Sequence, residues 1–200
     1  YIAAEAAIDG DSRFTLVKNT EKGYALANIA KSIEKSGADK DDVIILLDGD
    51  DWFASSLTLS HLNTYYSSPD CWLTYGSYVM HPHGHVGPEP SEYPQRVIDD
   101  NSYRQDQWRA SHLRTFRRHL WDKVNHEDLQ DTEGKYYKMA YDQAIMLPLL
   151  EMSGEKSKYI PEVLHVYNKE NPLNVDKIKT QEQVRTAQEI RNKKPYERLQ

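Results

Sequence analysis

The stretch VIILLDGDDW, residues 43–52, decides the fold. Its first five residues, Val43 to Leu47, form an apolar run too short for a helix and rich in β-branched side chains. That predicts a buried strand, central in its sheet and parallel to its neighbours. Asp48, Gly49, Asp50 and Asp51 then fall where the strand ends, and ligands in open α/β sheets gather at the carboxyl ends of strands. Two carboxylates one residue apart, Asp48 and Asp50, can face a single hard cation there while other octahedral positions stay free for phosphate oxygens. One reading of DGDD is therefore a Mg2+ or Mn2+ site beside a diphosphate; the plainer one is an acidic turn leading into the next helix.

Working outward, YALANIAKSIEKS at 24–36 places Leu26, Ile29, Ala30 and Ile33 at helical spacing, with Gly37 where a left-handed stop is cheap. On the other side, a helix is expected over about 56–67 and a strand from Trp72 to Val79. Residues 80–96, with Pro82, Pro88, Pro90 and Pro94, read as a long surface loop, and its His81, His83 and His85 match no defined metal-ligand spacing. SHLRTF at 111–116 predicts a short strand leading into a helix over RRHLWDKV. YDQAIMLPLLEMSG predicts a further helix ended by Gly154, YIPEVLHVY a late strand, and residues 176–194 a polar C-terminal helix halted at Pro195. The alternation of helix and strand makes the fold class α/β, a single domain over 1–200, with a mainly parallel sheet flanked by helices.

Composition narrows the function classes. A chain of 200 residues can bury a real core without staples, and 38% hydrophobic with 28% charged residues fits a folded globule. A formal net charge of −6 argues against a nucleic-acid partner, which needs a concentrated basic surface. No apolar stretch is long enough to span a bilayer. Cys71 stands alone, so no intrachain disulfide can form, and a reducing, cytoplasmic compartment is expected.

With DGDDW placed behind a buried strand, the sequence resembles the family 2 type of glycosyltransferases, whose GT-A fold, a Rossmann-like α/β sheet, carries a DxD at the end of a central strand. The resemblance extends over nearly the whole chain. RFTLVKNTEKGYALANIAKSI at 13–33 looks like the family segment near the nucleotide, which makes Gly23 and Asn28, along with Asp48, Gly49 and Asp51, donor-site candidates. In the block YDQAIMLPLLEMSGEKSKYIPEVLHVYNKENPLN at 141–174, Asp142 takes the place of the catalytic acid. It opens a helix, where the positive end of the helix dipole favours negative charge, and so suits a general base for an acceptor hydroxyl. A plain helix-terminal carboxylate is the competing reading. EVLHVYN followed by NPLN resembles the family's late strand and its loop back to the donor, with His165 a third candidate metal ligand beside Asp48 and Asp50. Arg114 of SHLRTF is placed to pair with the diphosphate. Trp52 and Tyr78 are candidates for stacking on the acceptor, although core packing is the commoner use of both.

The resemblance implies an inverting transfer from a UDP-, GDP- or dTDP-sugar to a glycan or other hydroxyl acceptor, dependent on Mn2+ or Mg2+. Two alternatives stay open. One is a GT-A-like nucleotide- or carbohydrate-binding module without turnover. The other is a HAD-type phosphatase using Asp48 as nucleophile, which prefers a Thr or Val soon after the second Asp where this chain has Asp51 and Trp52. The family's opening strands and their acidic turn are not complete in the sequence, and YIAAEAAIDGDSRF reads as the middle of something already under way. The expectation is a domain lacking its first strand or strands.

Overall fold

The computed structural model describes residues 2–170 and 180–200. The elements follow in the order α1 (Ile2–Ile8), α2 (Ala25–Lys35), β1 (Val43–Leu46), β2 (Trp52–Phe53), α3 (Thr58–Tyr66), β3 (Leu73–His81), β4 (His85–Val86), α4 (Gln95–Asp99), β5 (Arg114–Arg117), α5 (Arg118–Trp121), α6 (Tyr141–Ser153), β6 (Ser157–Asn168) and α7 (Thr180–Arg191). The result is a mixed α/β fold with helices flanking a curled sheet.

The sheet departs from a mainly parallel arrangement. Its order is β1-β5-β3-β6-β2, with β4 on β3, and the single parallel pairing among the described strands is β3 with β6. β1 is not central either. It pairs antiparallel with β5 alone, Val43 opposite Arg117 and Leu46 opposite Arg114. The apolar run that suggested a central strand has another cause: both faces of β1 meet apolar partners. Ile44 and Leu46 pack on the main core, and Ile45 packs on a second, smaller cluster of Leu62, Leu113, Ile160 and Leu164. Two cores make a strand apolar on both faces without placing it mid-sheet.

Helices follow the sequence more closely. α2 buries Leu26, Ala30 and Ile33 and ends just before Gly37. α6 is buried on every side from Ala144 to Ser153, so it forms the centre of the main core and needs no polar face. The 80–96 region contains more order than expected: β4 returns along β3 as a hairpin, and α4 begins at Gln95. Of the expected 176–194 helix, α7 covers Thr180–Arg191; residues 176–179 and the NPLN motif lie outside the described residues.

The long β3–β6 pair is the spine of the sheet, and Gly76 faces the β6 backbone across it with no room for a side chain. A Cβ at Gly76 would lie 2.7 Å from the Ile160 carbonyl oxygen, beside a shift in register. Gly76→Ala is therefore expected to push the strands apart and destabilise the fold by about 1–3 kcal/mol, the usual cost of overpacking. Urea unfolding reads this directly, and an unchanged midpoint would show that β6 yields freely at that point.

Pairing also explains how the acidic turn is held. β1 and β2 lie at opposite ends of the strand order, yet only residues 47–51 join them. Four strand spacings amount to roughly 19 Å, close to the full reach of so short a connection. Asp51 N–H also bonds back to the Asp48 carbonyl, which shortens the reach further. The sheet must curl for the connection to close, and DGDD becomes a strap across its end.

Candidate active site

Register delivers the first functional contacts. Because Arg114 opens β5 opposite Leu46, its side chain comes up beneath the turn that follows β1. The guanidinium is buried, with Nη2 4.0 Å from Asp48 Oδ2 and Nη1 3.9 Å from Asp142 Oδ2. Burial works against its charge, but the neighbouring Tyr141, Asp142 and Asp48 outweigh that and raise its pKa above the ordinary value. Asp48 and Asp142 are the more open members, with side chains 36% and 25% exposed. Residues 48, 114 and 142, far apart in sequence, thus converge.

Tyr141 completes this group. Its hydroxyl donates to both oxygens of Asp48, at 2.8 and 2.6 Å, and Arg114 stands 5.5 Å from the centre of its ring. Burial raises the phenol far above its ordinary pKa; Arg114 opposes this and Asp48 adds to it, so the hydroxyl keeps its proton and serves as a fixed donor.

Beyond Asp48 the strap turns toward β6. Asp51 is buried, accepting from His165 Nε2 at 2.8 Å and from the Asn168 backbone N–H at 2.9 Å. The β2–β6 register places it there, since Trp52 pairs with Val166 and Phe53 with His165. Both oxygens of Asp51 are therefore engaged inside the protein. His165 is held by Asp51, while Asp48 is held by Tyr141 and Arg114. The three expected metal ligands thus divide between two neighbourhoods, with Asp50 in the half-buried turn between them.

Gly23 and Asn28 are brought together. Asn28 Nδ2 donates to the Gly23 carbonyl at 3.4 Å, and its Oδ1 accepts from Asn19 at 2.9 Å. Asn28 also lines a groove of about 410 Å3 between α2 and β1, along with Ile29, Ile33, Ile45, Leu47 and, at its far end, Asp48. The groove runs along the edge of β1 away from β5. Gly49 is exposed in the turn, and a Cβ there would meet nothing within 4 Å.

The two aromatic candidates differ in position. Trp52 is 41% exposed and meets His81 edge to face, with ring centres 5.2 Å apart. Tyr78 is buried, its hydroxyl donating to Glu89 Oε2 at 2.7 Å and its ring meeting His112 and Tyr167 edge to face. It braces the hairpin and is not open to a ligand.

His112 and Tyr141 are site residues that sequence reasoning passed over. Each had a signal: His112 stands two residues before Arg114, the spacing that returns to the same side of an extended chain, and Tyr141 adjoins Asp142. Arg114 Nη2 donates to His112 Nδ1 at 2.9 Å, and the His112 ring stacks on His165, with centres 4.4 Å apart and planes 20° apart. Burial first, then the neighbouring Arg114 and His165, hold the His112 pKa well below its ordinary value.

No described helix is long and apolar enough to cross a membrane. No family model matches the sequence, and no curated protein matches it either.

Proposed function

We propose that the chain is the catalytic part of a metal-dependent glycosyltransferase of GT-A type, moving a sugar from a nucleoside-diphosphate sugar to an acceptor hydroxyl with inversion. The observation that carries this reading is the position of Arg114. A buried guanidinium lies within about 4 Å of both Asp48, after β1, and Asp142, at the start of α6. Such an arrangement is expensive as a purely structural device, because a buried charge network often contributes less than the apolar packing it displaces. It suits a site that must hold an anion near a carboxylate base.

The groove along β1 supports the donor side of the reading. It offers apolar walls to a nucleoside, and Asn28 at its margin can supply hydrogen bonds. Asp48 and Asp50 have the carboxylate chemistry that Mn2+ or Mg2+ takes, and both stay partly open to solvent. A cation bound there would neutralise charge on the departing diphosphate.

The chain's own groups supply the remaining roles. Asp142 accepts the proton of the acceptor hydroxyl as that oxygen forms a bond to the anomeric carbon. The bond from that carbon to the diphosphate oxygen breaks on the opposite face. Arg114 adds fixed positive charge beside the region where negative charge gathers on the leaving group. Tyr141 keeps Asp48 oriented, and Trp52 offers an exposed face on which an acceptor sugar can stack.

The test is donor hydrolysis across UDP-, GDP- and dTDP-sugars, with and without Mn2+, alongside Asp50→Ala. Metal-dependent release from one donor, lost in the variant, is the expected result and names the nucleotide. Nucleotide binding without release from any donor would replace the transferase with a binding module.

A further inference from the structure

The cluster on the inner side of the acidic turn has a chemistry that the transferase reading does not use. Asp51, His112 and His165 come from the strap, the approach to β5 and the middle of β6. Each places one donor atom within 4.8 Å of the donor atoms of the other two. Two imidazoles and one carboxylate differ in kind from the Asp48–Asp50 pair. Imidazole nitrogen suits borderline transition metals, whereas all-oxygen sets suit Mg2+, Ca2+ and Mn2+.

The state of His165 is an independent sign. The ring is fully buried; Nε2 donates to Asp51, and Nδ1 has no hydrogen-bond partner among the described residues. With the proton on Nε2, Nδ1 carries a bare lone pair in a buried place. Buried polar atoms rarely stay unsatisfied, so this lone pair is a place for a hydrogen-bond donor or a metal. A carboxylate behind one ring nitrogen and a bare lone pair on the other is the arrangement that orients histidine toward a metal. Asp51 is itself fixed by the Asn168 amide.

His112 is held beside His165, with Nδ1 accepting from Arg114 at 2.9 Å. Stacking on His165 and on Tyr167, whose plane is 17° away, sets the ring's orientation, and a metal on this ring would take the place of the Arg114 contact. The neighbouring Arg114 opposes a cation, and Asp48, Asp142 and Asp51 close by offset part of its charge. Tetrahedral ligands about 2.0–2.1 Å from a metal stand roughly 3.4 Å apart, so side-chain shifts of about an ångström would close the set.

We propose that Asp51, His112 and His165 form a binding site for a borderline divalent transition metal of the Zn2+ class, with the two imidazoles as ligands and Asp51 supplying the carboxylate charge directly or through His165. Two or three protein ligands leave at least one position of a tetrahedral metal open. The site is distinct in ligands and metal preference from the Asp48–Asp50 pair, and it stands whether or not the chain transfers sugars.

The experiment uses the full chain, stripped of metal and then titrated with Zn2+ by calorimetry, with metal content measured after dialysis. About one tightly held equivalent is expected, weakened by about 100-fold or more in His112→Gln and His165→Gln. Asp50→Ala and the double variant His83→Ala/His85→Ala should keep it. Circular dichroism checks that each variant folds. Should the histidine variants fail to fold, Co2+ loaded into the parent decides: an intense visible spectrum of low-coordinate, nitrogen-ligated cobalt is expected. The proposal is overturned by the absence of stoichiometric Zn2+, by unchanged affinity in the folded histidine variants, by loss on Asp50→Ala or His83→Ala/His85→Ala, or by a weak all-oxygen, six-coordinate cobalt spectrum.

Discussion

Asp142→Asn is expected to slow sugar transfer by about 10²–10⁴-fold, the usual contribution of a positioned general base, while donor affinity stays within a few-fold of the parent. The amide matches the carboxylate in size and keeps an acceptor oxygen, so the first turn of α6 and the neighbourhood of Arg114 should survive. What it loses is the capacity to take a proton. A carboxylate that served only the end of a helix would show a different pattern: a stability loss of about 0.3–1 kcal/mol and no change in turnover. Steady-state transfer rates, nucleotide affinity and a thermal melt on the same preparation separate the two. Turnover within twofold of the parent would remove Asp142 from the mechanism and leave Arg114 as a structural ion-pair partner.

The second large effect concerns stability. Arg104 and Glu151 form a buried pair, with side chains 2% and 0% exposed and two hydrogen bonds at 2.6 and 2.9 Å. Arg104 also donates to the Ile190 carbonyl of α7, and Glu151 accepts from the Tyr196 backbone N–H, so the pair ties α6, α7 and the C-terminal segment together. Arg104→Ala strands a carboxylate in the core and is expected to cost about 3–5 kcal/mol. For a chain of this size that lowers Tm by roughly 6–20 °C.

The pH dependence of that loss has a definite sign. Burial raises the Glu151 pKa above its ordinary 4.5, and Arg104 pulls it back down. Removing Arg104 removes the opposing influence, so the folded variant holds its proton to higher pH than the unfolded chain does. Stability linked to a raised carboxyl is fully present below the unfolded pKa and is lost as pH rises through the folded one. The gap between variant and parent should therefore narrow toward pH 4.5 and widen toward neutrality, as urea unfolding at both pH values would show. Arg104→Met combined with Glu151→Leu should recover most of the loss, because neither charge is then left alone. An additive double variant would mean that the two residues act separately.

Local sequence made α2, α6 and β6 legible, α2 through apolar residues three and four apart, α6 and β6 through apolar stretches of helix and strand length. Strand partners did not have that advantage. VIILL reads the same whether one strand or two lie beside it, and the second cluster that covers Ile45 is assembled from residues in three other segments. The acidic turn was readable as chemistry, but not the division of labour within it. Asp48 faces Tyr141 and Arg114, while Asp51 faces His165, and that split follows from a β2–β6 register that no short window contains. Tyr78 shows the same limit: in a strand it could as easily have been a stacking platform, and only the return of β4 and Glu89 makes it a brace.

The strap from Leu47 to Asp51 bears on how the molecule would respond to a ligand. Its two ends are anchored in different halves of the sheet, one on β5 and α6 through Asp48, the other on β6 through Asp51. Anything that grips the middle therefore pulls on both anchorages at once. Occupancy at Asp50 would be transmitted as tension to the sheet's two margins, and a change in the curl of the sheet would in turn alter the spacing of the carboxylates. Shape and affinity are thereby joined by five residues.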